Sequence, residues 1–117
     1  MNGGSAKVDY HDAVGVVRLT GEVDISRAQE LRGHLLGAVR NEDLGLVVDL
    51  TDATYIDSVG VSLLFELADK LAARQLQLAV VLPEGGLIER VLTIVNVASV
   101  AEIHRDVDDA LSAIRGA

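Results

Sequence analysis

Residues 45–64, GLVVDLTDATYIDSVGVSLL, contain an apolar run, a short polar loop and the beginning of an amphipathic segment. The run at 45–50 is almost continuously apolar and ends beside a charge, which is typical of a strand covered on both faces. The loop at 51–56, TDATYI, leads to Asp57. From Ser58 to about Arg74 the apolar residues recur at helical spacing, with polar residues between them. A buried strand, a loop and a helix in succession indicate an α/β fold.

The rest of the chain continues this alternation of strands and helices. Two segments rich in β-branched residues predict strands at 7–11 and 14–20, joined by a turn. Further strands are predicted at 76–82 and 100–103, and further helices at about 25–39, 86–95 and 106–114. The predicted order is ββαβαβαβα. It favours one α/β domain over residues 1–117, with its core at about 7–115 and a mixed, mostly parallel sheet with packed helices.

Local signals mark the ends of several predicted helices. Ser26, followed by Gln29, has the spacing of a capping box for the first helix, whose buried stripe is predicted to begin at Ile25. Gly33 and Gly37 lie inside that helix and predict close packing against the sheet, because glycine otherwise weakens a helix. Asp106 is the predicted N-cap of the last helix.

Composition excludes several classes of protein. The chain has 117 residues, of which 10 are Lys or Arg and 18 are Asp or Glu, so its formal net charge is −8. This charge opposes binding to nucleic acid, and three aromatic residues are too few for a base-stacking platform. The absence of cysteine excludes disulfides and thiolate metal sites. No signal peptide or membrane span is recognised, so we expect no membrane insertion and a cytoplasmic location.

Catalytic and cofactor motifs are not found either. The three histidines fall on different predicted elements, without the spacing of a metal site, so we predict no metal, cofactor or catalytic residue and classify the chain as a non-enzyme. Ser58 opens a helix after a strand, as a nucleophile elbow does, but that motif requires glycine two positions before the serine, where Ile56 stands. No lysine follows Lys70, which disfavours a response-regulator receiver.

Ser58 is more informative as part of a helix N-terminus. Asp57 is a strong N-cap candidate, whose carboxylate can accept hydrogen bonds from the amides of Val59 or Gly60. Ser58 and Val59 then lie in the first turn, where free N–H groups and the helix dipole favour negative charge. A phosphate on Ser58 would find those donors available.

The run VVDLTDATYIDSVGVSLL at 47–64 resembles the signature of the STAS domain family, specifically the anti-sigma factor antagonists. That signature is an apolar strand ending in Asp-Leu, a loop, and then apolar-Asp-Ser-(Ser/Thr)-Gly-Leu opening a helix. Upstream, GEVDIS at 21–26 is similar to the family's Gly-Glu-apolar-Asp motif. The chain departs from the pattern at Val59, where the family often has Ser or Thr, at Val61 for Leu, and at Ser62 for a common Gly.

The resemblance implies a switch operated by phosphorylation. The unphosphorylated protein would bind an anti-sigma factor that is itself a serine kinase, thereby releasing a sigma factor, and phosphorylation at Ser58 would end that binding. A serine phosphatase would restore the active form. Ser62, one turn further, is the alternative phosphosite. The predicted partner surface consists of Asp24, Asp57, Ser58, Val59, Gly60 and Ser62.

Two other functions remain open from sequence. The same fold could serve as a STAS subunit of a transporter or lipid-trafficking complex, acting by protein–protein binding without phosphorylation. A small ligand such as a nucleotide could also bind near the helix that begins at Ser58.

Overall fold

The computed structural model describes residues 4–116, which form seven strands and four α-helices. The strands are β1 Ala6–His11, β2 Val14–Leu19, β3 Gly21–Val23, β4 Gly45–Asp49, β5 Ala53–Ile56, β6 Gln77–Val81 and β7 Glu102–His104. The helices are α1 Ala28–Gly37, α2 Ser58–Ala73, α3 Leu87–Ile94 and α4 Val107–Arg115. Short 3₁₀ turns precede α1 at Ile25–Arg27 and follow α3 at Val97–Ser99.

The main sheet has five strands in the order β1-β2-β4-β6-β7. β1 and β2 form an antiparallel hairpin, and every other neighbouring pair in this sheet is parallel. Parallel neighbours require crossover connections, which α1, α2 and α3 supply along the chain. The structure therefore confirms the predicted mixed, mostly parallel sheet with packed helices.

Alternate residues of the central strands enter two separate cores. On one face, Val48 and Val80 pack with Leu64 of α2 and with residues of α1 and α3. On the other face, Val47 belongs to a smaller core, in which the helical residues, Leu111 among them, come from α4. β4 is buried at all five positions, as its uninterrupted apolar sequence predicts.

The structure adds two strands to the predicted order. β3 and β5 pair in parallel as a separate two-stranded sheet, with a register shift between Gly21 and Glu22. β5 occupies most of the segment predicted as the loop TDATYI, and β3 occupies the beginning of GEVDIS. Both are shorter than a typical strand, and their pairing joins segments about thirty residues apart, so no local pattern indicates it.

The predicted beginning of the first helix is wrong. Asp24, and not Ser26, caps the 3₁₀ turn by accepting a hydrogen bond from the Ser26 amide, and α1 begins only at Ala28. Ile25 was predicted to begin the buried stripe, yet it is 70% exposed. The 3₁₀ turn at Ile25–Arg27 does not follow the helical spacing that would place Ile25 on the buried stripe. Asp106 does cap α4, through the amide of Asp109.

The two glycines of α1 do not pack closely. A Cβ atom added at Gly33 or Gly37 would meet no atom within 4 Å outside the local helix backbone, and both residues are exposed. Neither the sheet nor a neighbouring helix therefore requires glycine at these positions.

We expect the substitution Gly33→Ala to stabilise the protein by about 0.5–1 kcal/mol, because alanine has the higher helix propensity and the site is open. Urea unfolding followed by circular dichroism measures the change. A loss of stability would show that this position has a neighbour that the structure does not contain.

Candidate functional site

Asp57 connects two segments that are distant in the sequence. Its Oδ1 accepts a hydrogen bond from the amide of Gly60 (2.9 Å), which caps α2, and its Oδ2 accepts one from the amide of Ile25 (3.1 Å). The Asp57 amide in turn donates to the carbonyl oxygen of Val23 (3.3 Å). One residue therefore holds the end of β3 against the beginning of α2.

These hydrogen bonds favour the ionised carboxylate. The amide of Gly60 makes the largest contribution to lowering the pKa of Asp57 below its ordinary value, and the amides of Ile25 and Val59 add to it. Partial loss of hydration opposes the shift without reversing it. Asp57 is therefore a fixed negative charge at the N-terminus of α2, where the helix dipole also favours it.

Gly60 makes this close approach possible. A Cβ atom at this position would lie 2.2 Å from the carbonyl oxygen of Val23 and 2.8 Å from Cγ1 of Ile56. Gly60 is also buried, so it offers little accessible surface to a partner. Gly60 therefore lies beneath the exposed residues of the predicted partner surface, and its contribution to partner binding stays a prediction.

Three of the predicted site residues form the solvent side of the helix end. Ser58 is the first residue of α2 and is exposed, Val59 is half-buried, and Ser62 is exposed one turn further along. The Ser58 hydroxyl forms no hydrogen bond with another group of residues 4–116. Both serines are therefore accessible, and only Ser58 belongs to the first turn, where the helix amides lack intrahelical acceptors.

Asp24 and Ile25 extend this surface from the other segment. Asp24 is half-buried, and its Oδ1 accepts hydrogen bonds from the amide (3.1 Å) and the hydroxyl (2.6 Å) of Ser26. Ile25 follows with its amide on Asp57 and its side chain in solvent. Ile25 was not predicted as a surface residue; the available signal is that Asp24 and Ser26, two residue types that favour N-caps, flank it in the sequence.

Arg27 supports the same segment from below and was also missed. It is only 7% exposed, and its Nη1 donates to the carbonyl oxygens of Thr20 (2.9 Å) and Glu22 (2.6 Å). These bonds tie the 3₁₀ turn to the residue that precedes β3 and to the middle residue of β3. An arginine buried without a carboxylate partner among residues 4–116 cannot be distinguished from a surface arginine by sequence alone.

The candidate metal ligands of the described residues are dispersed. Within residues 4–116 no group of three histidine or acidic side chains is close enough to hold a metal ion. No helix in that range is long and apolar enough to cross a membrane. The helix end combines an accessible hydroxyl, an exposed isoleucine and two hydrogen-bonded carboxylates.

We expect Gly60→Ala to destabilise the protein by about 1–3 kcal/mol, because the added methyl group overlaps the Val23 carbonyl. Gly33→Ala is the matched control, since it makes the same change in an open helical position. Denaturant unfolding of both variants measures the contrast. Equal effects of the two substitutions would contradict the close contact between β3 and α2.

The lowered pKa of Asp57 predicts a pH dependence. Its charge-dependent contribution to stability is fully present above the unfolded-state pKa of about 4 and is lost as the pH falls through the lower folded-state value. The difference in unfolding free energy between wild type and Asp57→Asn should therefore narrow below about pH 4. Thermal or urea unfolding between pH 2 and 7 tests this, and a difference independent of pH would contradict it.

Comparisons with known proteins agree with the fold. The STAS domain family matches residues 5–110. The anti-sigma-F factor antagonist RsfB of Mycobacterium tuberculosis is 26% identical over 106 residues, which cover 91% of this chain and 85% of the relative. A solved anti-sigma factor antagonist from Mycobacterium paratuberculosis is 28% identical, with a TM-score of 0.85 and coverage of 96% and 94% of the two chains.

The fold is shared with proteins of other functions. A sulfate transporter family protein from Wolinella succinogenes matches with a TM-score of 0.74 at 16% identity, covering 92% of this chain and 88% of the other. That likeness concerns the fold alone. Because the family match extends over nearly the whole described chain, this protein belongs to the STAS domain family.

Proposed function

We propose that this protein is an anti-sigma factor antagonist whose unphosphorylated form binds an anti-sigma factor and releases a sigma factor. The observation that carries the proposal is the exposed Ser58 hydroxyl at the N-terminus of α2, in a chain similar to two mycobacterial antagonists. On this proposal the protein is a regulatory binding protein and not an enzyme.

The proposed switch is phosphorylation of Ser58 by the anti-sigma factor acting as a serine kinase. A phosphate adds about −1.5 to −2 charges at neutral pH. The dipole of α2 favours negative charge at this helix end, so we expect the fold to stay unchanged after phosphorylation. The fixed carboxylate of Asp57 adds to the negative field at the helix end.

Loss of binding follows from local electrostatics. A partner surface that fits a neutral hydroxyl would face a bulky dianion beside Asp24 and Asp57 after phosphorylation. A penalty of about 3 kcal/mol weakens binding more than a hundredfold. A serine phosphatase that removes the phosphate would restore the binding form. On this proposal the protein acts in the cytoplasm, which contains the kinase, ATP and the sigma factor.

Ile25 is the proposed apolar anchor of the complex. Its side chain is 70% exposed, while its backbone is held by Asp57, so burying it against a partner gains hydrophobic free energy with little loss of backbone freedom. The other residues of the proposed surface are Asp24, Ser58, Val59 and Ser62.

Phosphosite mapping tests the modified residue. Wild type, Ser58→Ala and Ser62→Ala are incubated with ATP and soluble extract of the host, and the phosphate is located by mass spectrometry. We expect one phosphate, on Ser58, in wild type and Ser62→Ala and none in Ser58→Ala. Phosphate on Ser62 would keep the function and correct the residue. No phosphate, where a known antagonist is labelled, would favour the transporter or lipid-trafficking role.

Binding to the anti-sigma kinase tests the surface. We expect Ser58→Ala to bind like the unmodified protein and Ser58→Asp to bind at least tenfold more weakly, because the new charge meets the partner directly. Ser62→Asp, which adds the same charge one turn away, is the matched control and should weaken binding less. Equal affinities of Ser58→Ala and Ser58→Asp, measured by calorimetry, would contradict the switch.

We also expect Ile25→Ala to weaken binding about tenfold, with unchanged thermal stability.

A further inference from the structure

The outer edge of β1 has no partner strand among residues 4–116. β1 lies at one end of the five-stranded sheet and has six residues, whereas the strand at the opposite end, β7, has three. A long exposed edge carries a row of unpaired backbone groups and is a template for another strand.

The hairpin register determines which backbone groups point outward. Ser5 and Thr20 exchange both of their backbone hydrogen bonds (3.3 and 2.9 Å), and β1 and β2 continue from this pair without a register break. Exchanging pairs alternate with non-bonded pairs along an antiparallel ladder. Lys7 and Asp9 therefore turn their N–H and C=O groups toward β2. The residues that direct theirs outward are Ala6, Val8 and Tyr10.

We propose that β1 pairs with β1 of a second copy of this chain, antiparallel and with the two-fold axis at Val8. In this register Val8 faces its own copy, and Ala6 faces Tyr10 of the second copy. The six outward N–H and C=O groups of each strand are then all used. The two sheets would join into one continuous sheet of ten strands.

The charges on β1 select this register over its neighbours. Centring the pair on Lys7 would place two lysines opposite each other, and centring it on Asp9 would place two aspartates opposite each other. Centring it on Val8 instead places Lys7 opposite Asp9 twice, in non-bonded pairs, where cross-strand side chains are closest. Neither Lys7 nor Asp9 belongs to an ion pair within residues 4–116, so both are available.

The opposite face of the strand is apolar. Ala6 and Val8 are half-buried and pack against the edge of the larger core, and Tyr10 is 42% exposed. Pairing with a second copy would cover this stripe and extend the core across the two-fold axis. None of the residues proposed to bind the anti-sigma factor lies on β1, so each dimer would carry two such surfaces.

Charge exchange at positions 7 and 9 tests the interface. Light scattering after size exclusion measures the mass of the full chain over a concentration series at about 0.15 M salt, where repulsion between the negative chains is screened. We expect a mass twice that of one chain for wild type. Lys7→Glu and Asp9→Lys should each weaken dimerisation about tenfold or more, and the double variant should restore it.

Val8→Pro is the second test, because it removes an amide donor that the single chain does not use. This variant should be monomeric with an unchanged circular dichroism spectrum, while Val8→Thr, which keeps the amide, should remain dimeric. A wild-type protein that is monomeric throughout the series would overturn the proposal. So would a dimer unaffected by Lys7→Glu and Val8→Pro, or a charge-exchanged double variant that stays monomeric while wild type is dimeric.

Discussion

The two oxygens of the Asp57 carboxylate hold the two segments of the candidate functional site together. One oxygen caps α2 through Gly60, and the other binds the amide of Ile25 beyond β3. This bridge joins segments that are 32 residues apart and places an exposed isoleucine beside an exposed serine. Gly60 is a consequence of the same constraint, because a side chain there would separate β3 from α2.

The main sheet and its helices could be predicted from sequence because their signals are local. β4 is apolar at nearly every position, α2 has a clear helical period, and Asp57 and Asp106 have the position and chemistry of N-caps. The serine at the beginning of α2 was also placed correctly, since a cap and a first turn are defined by adjacent residues.

What could not be predicted depends on contacts between distant segments. β3 and β5 have three and four residues, and each is a strand only because the other lies beside it. Ile25 fits a helical stripe by spacing, yet the hydrogen bond from its amide to Asp57 keeps it in a 3₁₀ turn at the surface. The role of Gly60 as a packing residue likewise follows from the position of the Val23 carbonyl.

In the proposed switch, an unchanged scaffold carries a surface that changes only in charge. The helix end already provides a dipole and a fixed geometry for a phosphate, so phosphorylation should change the charge that a partner meets and leave the two cores unchanged. Amide NMR spectra of ¹⁵N-labelled protein, before and after stoichiometric phosphorylation at Ser58, test this most directly. The account predicts chemical-shift changes confined to residues 23–27 and 56–62. Large changes throughout β4 and β6 would contradict it and would indicate a rearrangement of the fold.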